Sequence, residues 1–212
     1  MKPITFVIFG GTGDLAKRKL APAFKQLEKE GLIPSDSLLV GVGRSQYTSE
    51  TYKKALLEYM PECADGSCLP NITIKYVQTD YNRENAFAEL RNKLSKWECE
   101  TTTQRVYYLA TTYKIFGSIV QSLRQAKLDS PTGMETKIVF EKPFGHNLES
   151  AQQLEDDIQD VFDESRIFRI DHYLGKETVR NLSMVKFTNP VIQGMLDSRY
   201  VQRIEVCANE NS

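Results

Sequence analysis

The chain has 212 residues, of which 26% are charged, and its formal net charge is −1 at pH 7. This composition is typical of a soluble globular protein, and the length suffices for one domain with a good core and part of a second. The balanced charge gives no reason to expect nucleic acid as a partner. No run of about 18 apolar residues occurs, which argues against a membrane span, and the first apolar segment is too short for a signal peptide.

Four cysteines are present, Cys63, Cys68, Cys99 and Cys207. Only the first two lie close together in the sequence, and their spacing fits no common zinc site. We therefore expect no metal site. We also expect free thiols in a reduced, cytoplasmic chain.

The first predicted strand is residues 4–9, ITFVIF, an unbroken apolar run typical of a strand buried on both faces of a parallel sheet. A glycine turn and a helical pattern ending at Gly31 follow at once, as in a dinucleotide-binding fingerprint. In that fingerprint the backbone approaches a pyrophosphate at the helix N-terminus. The spacing is G-x-x-G-x-x-A rather than G-x-G-x-x-G, so a plain tight turn is the alternative. The candidate cofactor residues of the turn are Gly10, Gly11, Thr12, Gly13, Asp14, Leu15, Ala16 and Lys17.

The second predicted strand, residues 38–43, ends at Arg44 and Ser45. An NAD enzyme often carries an acidic residue near this point to bind the ribose 2′-hydroxyl, whereas an arginine suits the 2′-phosphate of NADP. A surface arginine at a strand end is the alternative. Because Arg44 follows a glycine turn, we favour NADP.

Strand-like and helix-like patterns continue to alternate, which predicts an α/β fold, a doubly wound parallel-sheet Rossmann domain. Pro22 lies inside the first helical pattern and should kink that helix or delay its start. Asn147 is a good N-cap for the helix that follows it. Further strands are predicted at 72–80, 105–111, 137–140, 167–171 and 200–208, and further helices at 49–60, 82–97, 116–128, 147–164 and 177–186.

The strand at 137–140 leads into Glu141-Lys142-Pro143-Phe144-Gly145. Open α/β sheets bind their ligands at the carboxyl ends of the strands, which is where Lys142 is expected. The following proline favours an extended backbone at the lysine. We expect Lys142 to reach both a sugar oxygen and the nicotinamide-side ribose, the alternative being a surface lysine in a turn.

The segment from Arg169 to Glu177, RIDHYLGKE, concentrates the polar chemistry of the chain. Arginine, histidine, tyrosine and lysine side chains together can bind a phosphate dianion. Asp171 beside His172 supplies a carboxylate and an imidazole, the usual groups of acid–base chemistry. Apolar residues flank the segment, which argues against a solvated charge run, although an exposed helix start is the alternative.

Three motifs, GGTGDLAKRKL, EKPFG and RIDHYLGKE, occur in this order and resemble those of the glucose-6-phosphate dehydrogenase family. The resemblance spans nearly the whole chain. It implies an NADP-binding Rossmann domain at residues 1–170 and the incomplete start of an α+β substrate domain at residues 171–212. The implied reaction is NADP-dependent oxidation of the C1 hydroxyl of β-D-glucose 6-phosphate to the lactone, in the oxidative pentose phosphate pathway.

The resemblance also implies roles by position. The turn from Gly10 to Lys17 corresponds to the pyrophosphate site, Arg44 to the 2′-phosphate contact, and Lys142 to a lysine shared by cofactor and substrate. Asp171 corresponds to the carboxylate that orients the catalytic base, and Lys19 adds positive charge. The implied substrate ligands are Lys142, His172, Tyr173, Lys176 and Glu210. Thr112 and Tyr113 replace the prolines that the family carries beside the nicotinamide.

In the family the catalytic base is a histidine further downstream. This chain has two histidines, His146 and His172, and neither occupies that place. We expect a fragment, a split subunit or a truncated product, either partnered by a separate chain carrying the remainder or forming a homo-oligomer.

Three functions are compatible with the sequence. The first is a glucose-6-phosphate dehydrogenase polypeptide whose remainder lies elsewhere. The second is a non-catalytic module that binds NADP. The third is another sugar oxidoreductase that shares the EKP lysine, and the phosphate-ligand cluster after Ile170 argues against it.

Overall fold

A computed structural model describes residues 2–34, 36–60, 72–81, 83, 85–98, 100–205 and 207, with the side chains of Tyr173, Leu174 and Thr178 excepted. The chain divides into two compact units, Met1–Ile170 and Asp171–Ser212. The structure of each unit is given separately below.

The first unit contains a fully parallel six-stranded sheet in the order β3-β2-β1-β4-β5-β6. This order is that of the doubly wound dinucleotide-binding fold, and the predicted α/β class is confirmed. The strands are β1 Ile4–Phe9, β2 Ser37–Gly43, β3 Ile72–Gln78, β4 Gln104–Leu109, β5 Glu135–Glu141 and β6 Ile167–Ile170.

Helices cover both faces of the sheet. They are α1 Ala21–Lys29, α2 Ser49–Leu57, α3 Ala86–Trp97, α4 Phe116–Gln125 and α5 Leu148–Gln159. The predicted N-cap of α5 is confirmed, because the Asn147 side chain accepts a hydrogen bond from the Ser150 amide at 2.9 Å. The Ser150 hydroxyl accepts in return from the Asn147 amide, which completes a capping box.

A π-helical turn, Ala16–Leu20, connects the glycine turn to α1. The Ala21 amide donates to the Ala16 carbonyl, and the α-helix begins at that residue with Pro22 in its first turn. Proline has no N–H for an α-helical hydrogen bond and is tolerated only near a helix start. Residues 14–20 are already helical before Pro22, so a delayed start is wrong; the departure from α-helical geometry is the π-helical turn that precedes Pro22.

The core has two layers, one on each face of the sheet. Val7 and Phe9 of β1 belong to a cluster that includes Leu90 of α3, while Ile8 belongs to a cluster with Leu56 of α2. This division follows from the two-residue period of a strand, which turns successive side chains to opposite faces. Because both faces of β1 are buried, its sequence is an apolar run without alternation.

The second unit contains three helices in its described part, α6 His172–Gly175, α7 Glu177–Thr188 and α8 Pro190–Met195. The strand predicted at 200–208 is wrong for residues 200–205, which form a turn and an irregular segment. An alternating apolar pattern indicates which face of a strand would be buried, but a strand also needs a neighbouring strand to bond its main-chain groups. Within the described residues this segment pairs with no strand of the sheet.

In the described residues, no helix is both long and apolar enough to cross a membrane. Over the same residues, no three potential metal-ligating side chains come together. Cys207 is exposed with a free thiol, and the other three cysteines lie outside the described residues. The expectation of a reduced, cytoplasmic chain stays a prediction.

Candidate nucleotide-binding site

The glycine turn begins where β1 ends. Gly10 has a φ of +79°, and a Cβ on this residue would lie 2.3 Å from the Ala110 carbonyl oxygen. A Cβ on Gly11 would lie 2.8 Å from the Cα of Gly41. The amides of Gly10 and Gly11 both approach the Val42 carbonyl of β2 at 3.0 Å. The two glycines are therefore required by the close approach of β1, β2 and β4 at this edge.

Two buried tyrosines bind the main chain of this turn. The Tyr81 hydroxyl accepts from the Gly10 amide at 2.8 Å and donates to the Val42 carbonyl at 2.8 Å. On the other face of the sheet, the Tyr52 hydroxyl donates to the Gly11 carbonyl at 2.9 Å. Burial raises the pKa of Tyr81 to about 12 and raises the pKa of Tyr52 as well. Both phenols are therefore neutral donors at physiological pH.

The segment after β2 is held in a similar way. The Tyr76 hydroxyl donates to the Ser45 carbonyl at 2.7 Å, and the Gln78 amide group donates to the Arg44 carbonyl at 3.2 Å. The Ser45 hydroxyl lies 3.4 Å from the Thr12 hydroxyl of the glycine turn, within hydrogen-bond distance. The backbone of Arg44 is thus fixed while the residue itself is exposed.

Two cavities lie along this carboxyl edge of the sheet and share Arg44 and Asp80. The inner cavity, of about 380 Å³, contains the glycine turn, the Arg44–Ser45 segment and the residues after β4. The outer cavity, of about 660 Å³, lies beside Arg44 and Tyr47 and extends to Arg83 and Lys93. An extended ligand with a phosphate at the glycine turn and a second anionic group at Arg44 fits this arrangement.

The inner cavity carries two further signs of a nucleotide site. Its wall includes Gly10, Gly13 and Gly43, whose missing side chains leave the main chain accessible to a ligand. Thr111 also lines it, and the Thr111 hydroxyl oxygen is buried without a hydrogen-bond partner among the described residues. These residues fit a dinucleotide, in which main-chain N–H groups at a helix start bind phosphate.

The other predicted residues of the turn lie further along the helix. Asp14 is exposed and forms a surface ion pair with Arg18 at 3.7 Å, whereas the Ala16 side chain is buried in the core. The Lys17 ammonium lies 5.9 Å from the ring centroids of both Tyr47 and Tyr59, a cation–π arrangement. Leu15, which lies between Asp14 and Ala16 in the sequence, is half-buried. Ala16 can therefore meet a ligand only through its main chain.

Lys142 follows β5 at the same edge of the sheet, as the sequence predicted. It is exposed, and the Lys142–Pro143 peptide bond is cis. Glu141, the last residue of β5, is buried and accepts a hydrogen bond from the Tyr108 hydroxyl of β4. Burial and this carboxylate together raise the pKa of Tyr108. The sequence carried a signal for this pair, because a charged residue ending a buried strand needs a partner.

In the second unit, Asp171 precedes α6 and its carbonyl accepts from the Gly175 amide at 3.3 Å. His172 is the first residue of α6. Lys176 immediately precedes α7. The side chain of Tyr173 and all of Glu210 lie outside the described residues.

Arg169, a member of the predicted phosphate cluster, forms ion pairs at the sheet instead. Its guanidinium contacts the carboxylates of Glu155 and Glu164, the latter at 2.8 Å. These ion pairs raise the pKa of Arg169 and tie β6 to the end of α5. The composition of RIDHYLGKE did not reveal them, because both carboxylates lie in an earlier part of the chain.

The sequence profile described as "Glucose-6-phosphate dehydrogenase, NAD binding domain" matches residues 7–181. The chain belongs to the glucose-6-phosphate dehydrogenase family. It is 35% identical over 209 residues to glucose-6-phosphate 1-dehydrogenase of Bacillus subtilis, covering 97% of this chain and 42% of that relative. It is 31% identical to the Leuconostoc mesenteroides enzyme, covering 98% of this chain and 43% of that relative.

Solved structures give the same result. A glucose-6-phosphate dehydrogenase in complex with its substrate glucose-6-phosphate superposes with a TM-score of 0.80 at 28% identity, covering 93% of this chain and 42% of that one. The glucose-6-phosphate 1-dehydrogenase of Mycobacterium avium superposes with a TM-score of 0.70 at 28% identity, covering 94% of this chain and 43% of that one. The chain spans less than half the length of the relatives it matches.

Membership of the family makes this an NAD(P)-binding domain of an oxidoreductase family. Thr112 has extended backbone angles and precedes a single 3₁₀ turn, Tyr113–Ile115, that leads into α4. Thr112 and Ile115 both line the inner cavity. The replacement of family prolines at this turn stays a prediction.

Proposed function

We propose that this chain is the nucleotide-binding part of an NADP-dependent glucose-6-phosphate dehydrogenase and that it binds NADP more tightly than NAD. The observation that carries the proposal is the placement of Arg44 beside the glycine turn, joined by the contact between Thr12 and Ser45 at 3.4 Å. One continuous edge thus offers N–H groups for a pyrophosphate and an exposed guanidinium for a 2′-phosphate. Family membership supports the same assignment.

A bound NADP would supply the acceptor for the hydride that leaves C1 of the sugar. The glycine turn holds the pyrophosphate, and Arg44 distinguishes the 2′-phosphate from a 2′-hydroxyl. Lys142, at the carboxyl end of β5, contacts both the sugar and the nicotinamide-side ribose. These three elements lie at one edge of one sheet, which orients the nucleotide along the strand ends.

The substrate assignment rests on the resemblance and on the family. His172, Tyr173 and Lys176 bind the sugar phosphate, and Glu210 contacts a sugar hydroxyl. Asp171 orients the base that removes the C1 hydroxyl proton. Lys176 follows the end of α6, and His172 is its first residue. That both side chains reach the same phosphate is part of this proposal.

We further propose that the isolated chain binds nucleotide without turning substrate over. General-base catalysis is typically worth about 10²- to 10⁴-fold, so a site without a positioned base is strongly impaired. Neither histidine of the chain matches the family's base: His146 is exposed in the loop after β5, and His172 starts α6.

The test is calorimetric titration of the purified chain with NADP and with NAD, followed by a steady-state assay with glucose 6-phosphate and NADP. The proposal expects tighter binding of NADP and no turnover. Equal affinity for the two nucleotides would remove the role of Arg44. Turnover near the median of about 10 s⁻¹ for enzymes would show that the base is present, and His172→Ala would then identify it.

A further inference from the structure

We propose that Tyr81 is a positioning residue of the glycine turn, whose hydroxyl anchors the Gly10 amide and so fixes the course of the turn that a bound pyrophosphate requires. This inference rests on the proposed function, since it concerns the same nucleotide site. Tyr81 lies just after β3, two strands away from the turn in the sheet order. It lies outside the glycine-turn motif.

Each main-chain group that the Tyr81 hydroxyl contacts also has a second hydrogen-bond partner. The Gly10 amide has a second acceptor, the Val42 carbonyl, at 3.0 Å. The Val42 carbonyl has a second main-chain donor in the Gly11 amide, also at 3.0 Å. Removing the hydroxyl therefore leaves neither main-chain group without a partner. What it removes is the side-chain link that joins the start of the glycine turn to the residue after β3.

The ring of Tyr81 is fixed independently of any ligand. It packs edge-on against Phe9 of β1, with ring centroids 6.0 Å apart and an interplanar angle of 68°. Phe9 is itself stacked on Phe87 of α3, with centroids 5.3 Å apart. Tyr81 is 9% exposed and still lines the inner cavity. The hydroxyl is thus presented to the turn from the core, at a preset position.

Tyr76 provides a matched comparison at the neighbouring segment. Its hydroxyl donates to the Ser45 carbonyl, next to Arg44, and it contacts no glycine of the turn through a hydrogen bond in the described residues. Both tyrosines are buried. One therefore holds the pyrophosphate half of the site and the other holds the 2′-phosphate half.

The experiment measures the Kd of NADP and of adenosine 2′-monophosphate for the wild-type chain and for Tyr81→Phe and Tyr76→Phe. The second ligand carries the 2′-phosphate but no pyrophosphate. For Tyr81→Phe we expect NADP to bind roughly tenfold more weakly, the effect of one net hydrogen bond. The affinity for adenosine 2′-monophosphate should stay within about twofold of the wild type. For Tyr76→Phe both ligands should weaken by similar factors.

Three outcomes overturn the inference. The first is an unchanged Kd of NADP for Tyr81→Phe, and the second is equal weakening of both ligands, which signifies general loosening. The third is failure of Tyr81→Phe to fold, because both main-chain partners of the hydroxyl keep another hydrogen bond and folding should not require it. A wild-type chain that binds neither ligand would instead overturn the proposed function and the inference together.

Discussion

The two edges of the parallel sheet are held together by opposite chemistry. At the amino edge, the Arg105 guanidinium and the Glu98 carboxylate form two hydrogen bonds of 2.9 and 2.6 Å, with side chains 5% and 8% exposed. A third nitrogen–oxygen contact joins Arg105 to the Tyr107 hydroxyl, which donates to the Leu128 carbonyl at 2.7 Å. At the carboxyl edge, neutral tyrosine hydroxyls hold the main chain instead.

The difference explains why only one edge is suited to bind an anion. A buried guanidinium with a bidentate carboxylate partner has its charge satisfied internally and cannot be offered to a ligand. Phenols at the other edge stabilise the loops without adding charge. Arg44 consequently stays exposed beside the glycine turn, where its charge is available.

The largest expected effect breaks the amino edge. Arg105→Met leaves Glu98 buried without its partner and should lower the free energy of unfolding by about 3–5 kcal/mol. Urea unfolding followed by circular dichroism measures the loss. The double variant Arg105→Met/Glu98→Met is the control and should recover most of it, because no charge is then buried alone. A single-variant loss below about 1 kcal/mol would mean that water reaches this pair.

The next effect breaks the carboxyl edge without touching stability. Arg44→Asp removes a charge-assisted hydrogen bond to phosphate and should weaken NADP binding by about 1.5–3 kcal/mol, while NAD binding changes less. Calorimetric titration measures both affinities. Arg83→Asp makes the same charge change in the outer cavity and is the control. If the control weakened NADP binding more than Arg44→Asp, the 2′-phosphate would belong to Arg83.

A third effect isolates the Tyr81 hydroxyl by pH. Burial raises the pKa of Tyr81 to about 12, above the value of about 10 in an unfolded chain. Its stabilisation is therefore complete below about pH 10 and is lost as the pH rises towards 12. The slope is at most about 1.4 kcal/mol per pH unit for one proton. Urea unfolding of the wild type and Tyr81→Phe between pH 8 and about 11.5 measures it.

The wild type should lose stability relative to Tyr81→Phe as the pH rises in that interval. At the amino edge, burial also raises the pKa of Tyr107, but Tyr107 is present in both proteins and its contribution cancels in the comparison. A stability gap between them that stays constant up to about pH 11.5 would show that Tyr81 ionises as easily in the folded chain as in the unfolded one.

The smallest effect compares two threonines. Thr111→Val at the carboxyl edge removes a buried hydroxyl without a described partner, and should raise the free energy of unfolding by about 1 kcal/mol. Thr136→Val at the amino edge is the matched control, since the Thr136 hydroxyl contacts the Asp129 carbonyl and accepts from Arg166 at 3.0 Å. That variant should lose about 1–2 kcal/mol. Equal losses in both variants would indicate that Thr111 is hydrogen-bonded in solution.

Much of the first unit could be predicted from local patterns. The unbroken apolar run at 4–9 required a strand buried on both faces, and β1 places Val7 and Phe9 in one core layer and Ile8 in the other. Pro22, which has no N–H, follows a π-helical turn, so the regular α-helix begins only at Ala21. In both cases the cause lies within a few residues of the effect, so the sequence contains it.

The hydrogen bonds of the site could not be predicted in this way. Tyr52 is buried, and a buried phenol needs a partner. Which carbonyl it would meet depends on a residue 41 positions away, Gly11. Arg169 shows the same limit, because its partner Glu155 lies 14 positions earlier and turned a predicted phosphate ligand into an ion pair.

By itself the sequence determined the alternation of strands and helices, the glycine turn at the end of β1, and the arginine at the end of β2. These depend on local sterics, burial and periodicity. Tertiary structure alone decided which groups hold those segments in place, through Tyr81 at Gly10, Tyr76 at Ser45 and the Glu98–Arg105 pair at the far edge. Sheet order and register bring these distant residues together, and a one-residue shift of register would turn every such side chain to the opposite face.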